Sequence, residues 1–248
     1  MRKVFFFLTT ISLLFLSSCK KSTEVFDTAA LGDYYPLTVG KYITYNLDST
    51  VVYQNFGQTQ TINSYQVKLV VDAQVSDNLG RPASRIIRYI RKTPVDPWVS
   101  DNTFMVVNTG TSVEFIENNF RFLKMKAPIR EGNSWKGHTY IDTYSLNSTV
   151  KYLDDWNYTW DSLNYPAHVG ALTIDSTVKV AQRNEVIGNP ANVGSYSEVN
   201  IGEEKYAKGI GLIYHKFLHM EYQPPVPGHP GAFADGSYGV EMRMIDHN

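Results

Sequence analysis

Apolar and polar residues alternate along much of the chain, as they do in half-buried β-strands. Between residues 65 and 71 every odd position is apolar, and Gln66 and Lys68 lie between them. A period of two places the apolar set on one face of a strand. The turn signal at residues 77–80 then separates this strand from a second one over residues 84–91. The isoleucines of the second segment also fit a helical face, but its β-branched residues and lack of a cap favour a strand.

The same pattern continues through three further strands, over residues 103–107, 113–117 and 120–125. Turn signals recur about every ten residues, which is typical of an antiparallel meander, a sandwich or a partial barrel. Residues 223–235 are rich in proline and glycine and predict a semi-rigid loop between the last two strands. We therefore predict an all-β fold, a mostly antiparallel sheet of sandwich or open/partial barrel type, with no strong helix.

The N-terminus has the pattern of an export signal. Arg2 and Lys3 precede an apolar run over residues 4–16, which is shorter than the roughly 20 residues that a membrane-spanning helix needs. The ending Leu-Ser-Ser-Cys resembles the bacterial lipobox. The resemblance implies that residues 1–18 are a cleaved lipoprotein signal peptide and that Cys19 is acylated, carrying palmitate-type chains that anchor the protein in a membrane.

The residues that follow Cys19 bear on its destination. No aspartate stands directly after the cysteine, and such an aspartate is the signal for inner-membrane retention in this class, so the outer membrane is favoured. Whether the protein faces the periplasm or the cell surface stays open. Cys19 is the only cysteine, so the exported chain forms no internal disulfide.

A weak repeat divides the remaining chain. Residues 36–43 match residues 128–135 at a proline, an aliphatic residue, a glycine and a large apolar residue. A tyrosine-bearing strand is expected after each motif. We predict a lipidated N-terminus and flexible tether over residues 19–33 and a single β-rich domain over residues 34–248. The repeat suggests two related halves (34–125 and 126–248), with chance similarity as the alternative.

Three segments carry a family resemblance. Residues 35–40, 123–137 and 204–214, the last including Tyr-Ala-Lys-Gly-Ile-Gly-Leu-Ile-Tyr, resemble recurring segments of uncharacterised cell-envelope lipoproteins of the Bacteroidota type. The pattern departs at Ala127 and Ile43, where an aromatic residue and a tryptophan are expected. The resemblance implies an envelope location and a β-rich fold, and it brings no established activity.

Composition excludes some partners. Without residues 1–18 the chain keeps 21 basic and 24 acidic residues, which is too balanced for a nucleic-acid footprint or a polybasic membrane patch. The high content of Tyr, Phe and Trp favours strands. No cofactor is predicted.

Catalytic and metal motifs are weak. The chain contains no His-Glu-x-x-His, Gly-x-Ser-x-Gly or phosphate-loop pattern. Gly209 and Gly211 are followed by a strand-like run, where a dinucleotide loop requires a helix. His215 and His219 would lie about 13 Å apart on that strand, too far to share a metal ion. We predict no catalytic or metal site.

A row of aromatic residues is the candidate ligand-binding feature. Trp156, Tyr158 and Trp160 would share one face of a strand. Exposed, the row would stack on sugar rings or contact a partner; buried, it would belong to the core.

Aspartate followed by Ser or Thr recurs in the pattern that resembles bacterial O-glycosylation acceptors. The candidate hydroxyls are those of Thr28, Ser49, Ser162 and Ser176.

The sequence therefore predicts an outer-membrane-anchored lipoprotein that acts as a non-enzymatic binding or assembly protein with a glycan, lipid or envelope-protein ligand. The alternative is a hydrolase of envelope or other polysaccharides whose site forms only on folding. A cleft with two carboxylates would favour the hydrolase and a flat aromatic face a glycan or protein binder. An open apolar cavity would favour a lipid carrier, and the lack of any concavity a structural role.

Overall fold

The computed structural model describes residues 29–53 and 60–248, and within these ranges the protein is almost entirely β-structure. The only helices there are α1 (Leu31–Tyr34) and a 3₁₀ turn (Lys151–Leu153). Neither is long and apolar enough to cross a membrane. The strands are β1 (Tyr42–Val52), β2 (Gln60–Ser76), β3 (Pro82–Arg91), β4 (Val99–Asn108), β5 (Ser112–Glu117), β6 (Phe120–Lys126), β7 (Ser134–Lys136), β8 (Asn157–Val169), β9 (Leu172–Gly188), β10 (Ser197–Ala207), β11 (Gly211–Gln223), β12 (Ala232–Phe233) and β13 (Tyr238–His247).

All strands belong to one antiparallel sheet, which confirms the predicted fold class. Their order is β6-β5-β4-β3-β2-β1-β13-β11-β10-β9-β8-β7, and the two-residue β12 pairs with β11 outside this path. The pairing of β1 with β13 joins the N-terminal meander to the C-terminal strands. The sheet is nearly closed and barrel-like, with one unsealed seam between its edge strands β6 and β7.

Few hydrogen bonds cross the seam. The backbone N–H of Leu123 donates to the carbonyl of Gly137 at 2.7 Å. The indole N–H of Trp135 donates to the carbonyl of Leu123 at 2.8 Å, and that of Trp160 to the carbonyl of Lys126 at 2.9 Å. The seam is therefore held by single contacts rather than by a ladder of paired strands.

The strands and turns predicted in the first half match the structure. Strands β2 to β6 contain the five predicted segments. Gly80 takes a φ of 73°, and Asn118 and Asn119 take φ values of 49° and 66° at the tight β5–β6 turn. Glycine and asparagine tolerate this left-handed conformation, which two-residue hairpin turns require.

The two copies of the repeated motif adopt the same local structure. Gly40 and Gly132 have φ values of 90° and 79°. Gly40 donates its N–H to the carbonyl of Val71, and Gly132 to that of Trp160, both at 2.8 Å. In each copy the following strand then pairs with its neighbour in the same relative register.

The expected tyrosine-bearing strand after the second copy is wrong. β7 has three residues, and a connection without strands runs over residues 137–156. The Asp142 carboxylate accepts hydrogen bonds from the backbone N–H groups of Tyr144 and Ser145, both at 3.0 Å. Such local bonds fold the chain into turns and compete with a strand ladder.

The short helix α1 packs against the sheet. Leu31 and Tyr34 are only 2% and 6% exposed and belong to the hydrophobic core. Gly209 also donates its N–H to the carbonyl of Asp33 at 2.7 Å. The flexible tether expected over residues 19–33 stays a prediction, since residues 19–28 lie outside the described residues.

Gly137, which follows β7 at the seam, allows the packing beside the seam to be tested. A Cβ atom at this position would lie 2.2 Å from the ring of Tyr158. We expect Gly137→Ala to lower the free energy of unfolding by roughly 1–3 kcal/mol, the usual effect of overpacking, as measured by urea denaturation. Gly194→Ala is the matched control, because its nearest contact is the Asn192 side chain at 3.3 Å in an exposed turn. Equal stability of the two variants would contradict the close packing of Gly137 against Tyr158.

Candidate functional site

The interior of the sheet contains a cavity of about 610 Å³. This volume is typical of small-molecule sites in proteins. Side chains from β1–β6, β8–β11 and β13 form its wall, together with Val150, Tyr152 and Leu153 of the β7–β8 connection. The cavity is thus a product of sheet closure, and no single segment of sequence contains it.

Strand alternation explains which residues reach the cavity. On β6 these are Phe120, Phe122 and Lys124, and on β13 they are positions 238, 240 and 242. Phe122 and Phe217 line the cavity yet are only half-buried. The wall thus presents large apolar side chains to the cavity.

One charged cluster lies within this wall. The carboxylate of Glu204 on β10 is 1% exposed. Its Oε1 accepts a hydrogen bond from Nζ of Lys124 at 2.6 Å and lies 3.1 Å from Nδ1 of His215. Its Oε2 accepts a hydrogen bond from the hydroxyl of Tyr206 at 2.7 Å. A buried carboxylate is thereby paired and hydrogen-bonded on both oxygens, as its desolvation requires.

Two members of this cluster, Glu204 and Tyr206, have shifted pKa values. Burial acts to raise the pKa of Glu204, but the charge of Lys124 and the contact with His215 outweigh it and hold that pKa well below the usual range. Burial, together with the nearby Glu204 charge, raises the pKa of Tyr206 well above normal. Glu204 therefore stays ionised and Tyr206 stays protonated at neutral pH. A glycosidase general acid needs the opposite, a carboxyl group with a raised pKa.

Gln182 on β9 adds an unpaired polar group. Its side chain lines the cavity and is 3% exposed, and Nε2 has no hydrogen-bond partner among the described residues. A Cβ on Gly202 would lie 2.9 Å from Oε1 of Gln182 and 2.6 Å from the ring of Trp156. The glycine therefore leaves the space that these two side chains occupy. An unpaired buried donor is costly unless a ligand or solvent supplies its acceptor.

Aromatic rings form the wall next to β11. Tyr152 stacks on His219, with ring centroids 3.8 Å apart and planes 13° apart. Phe217 stacks on Tyr238 at 4.8 Å. The imidazole of His219 also lies 2.7 Å from Oδ1 of Asn200. Burial lowers the pKa of His219 despite the nearby Glu198, so the ring favours its neutral form.

The two histidines on β11 therefore have separate partners, His215 with Glu204 and His219 with Asn200. Within residues 29–53 and 60–248, no group of three or more His, Cys, Asp or Glu side chains is arranged to hold a metal ion.

The predicted aromatic row lies in the core. Trp156 and Trp160 are fully buried and Tyr158 is 3% exposed, so the three rings do not form an exposed face for sugars or a partner. They do lie on one side of the chain, since all three join the same core cluster. Only Tyr158 lines the cavity.

The candidate modification sites lie in different surroundings. Ser49 is half-buried and lines the cavity, so a glycan there would occupy the cavity itself. Ser162 is half-buried on β8, and Ser176 is exposed with a φ of 56° on β9. Cys19 and Thr28 lie outside the described residues. Modification at these five positions stays a prediction.

Sequence reasoning missed Lys124, Glu204, His215 and Gln182. The first three come from β6, β10 and β11 and meet only in the folded sheet. One signal was present: Glu204 shares a strand face with Gly202 and Tyr206, so a charge occupies an inward position. The other face of β10 carries the apolar Val199 and Ile201, so alternation alone would place that face in the core instead of the face of Glu204.

Comparison with known proteins assigns no family and no role to the chain. No family model and no curated protein matches the chain. One solved structure, a Bacteroides fragilis protein described as exported and as having a YmcC-like fold, aligns with a TM-score of 0.31 and 12% identity. The alignment covers 85% of this chain and 98% of that one.

The buried ion pair can be tested by removing one partner. Lys124→Met leaves the Glu204 charge buried without its cation, and we expect a loss of roughly 3–5 kcal/mol in the free energy of unfolding. The double variant Lys124→Met/Glu204→Gln removes both charges and should recover most of that loss. Urea denaturation of the two variants measures the difference, and equal stability would contradict the cluster.

Proposed function

We propose that the protein is an outer-membrane lipoprotein, anchored through Cys19, that holds one lipid-like molecule in the cavity of its nearly closed sheet without transforming it. The single observation that carries the binding proposal is the cavity of about 610 Å³ with a mainly apolar wall. Burying apolar ligand surface there would contribute about 25 cal/mol per Å². Of the outcomes set out from the sequence, this geometry favours a lipid carrier.

The polar groups support binding rather than hydrolysis. Three carboxylates line the cavity, those of Asp101, Glu117 and Glu204. Asp101 is paired with Arg88 at 2.5 Å, and Glu204 is held ionised by its partners. Glu204 is therefore not the protonated carboxylic acid that glycoside hydrolysis uses.

The envelope location rests on the N-terminal sequence. A basic start, a short apolar run and the lipobox-like ending at Cys19 are what an exported lipoprotein carries. A lipid anchor would keep the cavity within reach of membrane lipids, which gives the two parts of the proposal a common purpose.

The anchor is tested by Cys19→Ala. Without the thiol no lipid can be attached, so we expect the chain to leave the membrane fraction after cell lysis and ultracentrifugation. Ser22→Ala, three residues further on, is the matched control and should stay in the membrane fraction. An unchanged distribution of the Cys19→Ala chain would refute lipid anchoring.

The ligand is tested by native mass spectrometry of the full chain extracted from membranes in detergent. We expect a non-covalent adduct of one molecule per chain, beyond the covalent mass and with a mass different from the detergent. Met242→Trp should reduce the adduct at least about tenfold, because Met242 lines the cavity and the larger ring fills it.

Val186→Trp provides the control, since Val186 is 56% exposed on β9 and lies outside the cavity. An adduct that both variants retain equally would place the ligand elsewhere. The absence of any adduct from the wild-type chain would refute the binding proposal.

A further inference from the structure

We infer that the cavity selects an uncharged acyl ester, an apolar chain that bears a neutral carbonyl and a hydroxyl group, over a fatty acid or an alkyl amine. This rests on the proposed function, since it names the ligand class for the same cavity. The inference follows from the charge balance of the wall and from the hydrogen-bonding groups that the protein leaves unpaired.

Charge balance disfavours an anion. Five side chains of the Arg, Lys, Asp and Glu types line the cavity, and their formal charges sum to −1: Arg88, Asp101, Glu117, Lys124 and Glu204. Lys124 is already neutralised by Glu204, and Arg88 by Asp101. A carboxylate brought into the cavity would therefore meet no lysine or arginine that lacks a carboxylate partner, and burying an unpaired charge is costly.

A cationic ligand would also gain little binding energy from the charges of the cavity wall. Glu117 is the one cavity carboxylate without an ion-pair partner among the residues that the structure describes. It lies at the partly exposed β5–β6 turn. A pair formed there would be screened by water and would contribute little.

Two side chains of the cavity wall have hydrogen-bond donors that a ligand acceptor could pair. Lys124 has three N–H protons, and one is used by Glu204. Its Nζ also lies 5.3 Å from the ring centroid of Phe122, in apolar surroundings. The amide nitrogen of Gln182 has no acceptor within the described ranges. An ester carbonyl offers two lone pairs to these donors without adding charge.

His215 favours a hydroxyl group on the ligand. Both oxygens of Glu204 are already hydrogen-bonded. Nδ1 of His215 faces Glu204, which leaves Nε2 of the ring for a ligand. A glycerol or similar hydroxyl next to the ester both donates and accepts, so it can bond Nε2 whether or not that nitrogen carries a proton.

The test is competition on the wild-type chain. The detergent-extracted protein is incubated with equal amounts of monododecanoylglycerol, dodecanoic acid and dodecylamine, and native mass spectrometry measures how much of each is bound. These probes share the alkyl chain, so their ratio reports the polar end alone. We expect the ester to occupy the protein roughly tenfold more than either charged compound.

Gln182→Met tests the donor. It keeps the side-chain size, and it removes a buried donor that lacks a partner, so the fold should be no less stable. The ester occupancy should fall roughly three- to tenfold, the range for one hydrogen bond, while the acid and amine change little. Gln223→Met is the matched control, because Gln223 is exposed and lies outside the cavity.

The outcomes separate the two proposals. Equal or greater binding of the acid or the amine would overturn the ester inference and leave the lipid-binding function standing. The same holds if none of the three compounds binds to a chain that carries a cellular adduct sensitive to Met242→Trp. If the chain binds neither a cellular adduct nor any of the three compounds, the proposed function itself fails.

Discussion

The structure depends on the pairing of β1 with β13. This pairing joins two meanders into one sheet and brings the edge strands β6 and β7 next to each other along their edges. Closed sheets of about eight strands are filled by their own side chains, and wider ones keep interior space. Twelve strands lie on the path here. The indoles of Trp135, Trp156 and Trp160 fill part of the interior, and the rest is the cavity.

The ion pair between Lys124 and Glu204 belongs to this closure. β6 and β10 are not neighbours in the sheet, and the seam lies between them on the shorter route. The pair therefore connects the two sides of the seam through the interior, where the backbone provides few bonds. Buried pairs seldom stabilise a fold more than apolar residues of similar size would. Stability alone therefore does not explain why this pair lies beside large apolar side chains of the wall, whereas the proposed ligand would give it a role.

The sequence predicted what depends on local pattern. Alternation at residues 65–71 and the turn at 77–80 identified β2 and β3, because the side-chain period and turn chemistry act over a few residues. The connection over residues 137–156 was missed because its tyrosines are typical of strands. In the structure the Asp142 carboxylate accepts hydrogen bonds from nearby backbone N–H groups, which favours turns instead. The cluster around Glu204 was missed because its partners are 80 residues upstream and 11 downstream. Distances of that kind are set by register, which a single sequence does not reveal.

Four titratable groups around the cavity share a property that bears on chemistry. Catalytic residues are held near a change of protonation state at working pH. Here the environment does the opposite: Glu204 is held ionised, and burial raises the pKa values of Tyr35, Tyr158 and Tyr206 further from neutrality. In the proposed function, such groups would orient the ligand through fixed donors and acceptors. The apolar wall and these polar groups therefore both accord with the proposal that the site holds a molecule unchanged.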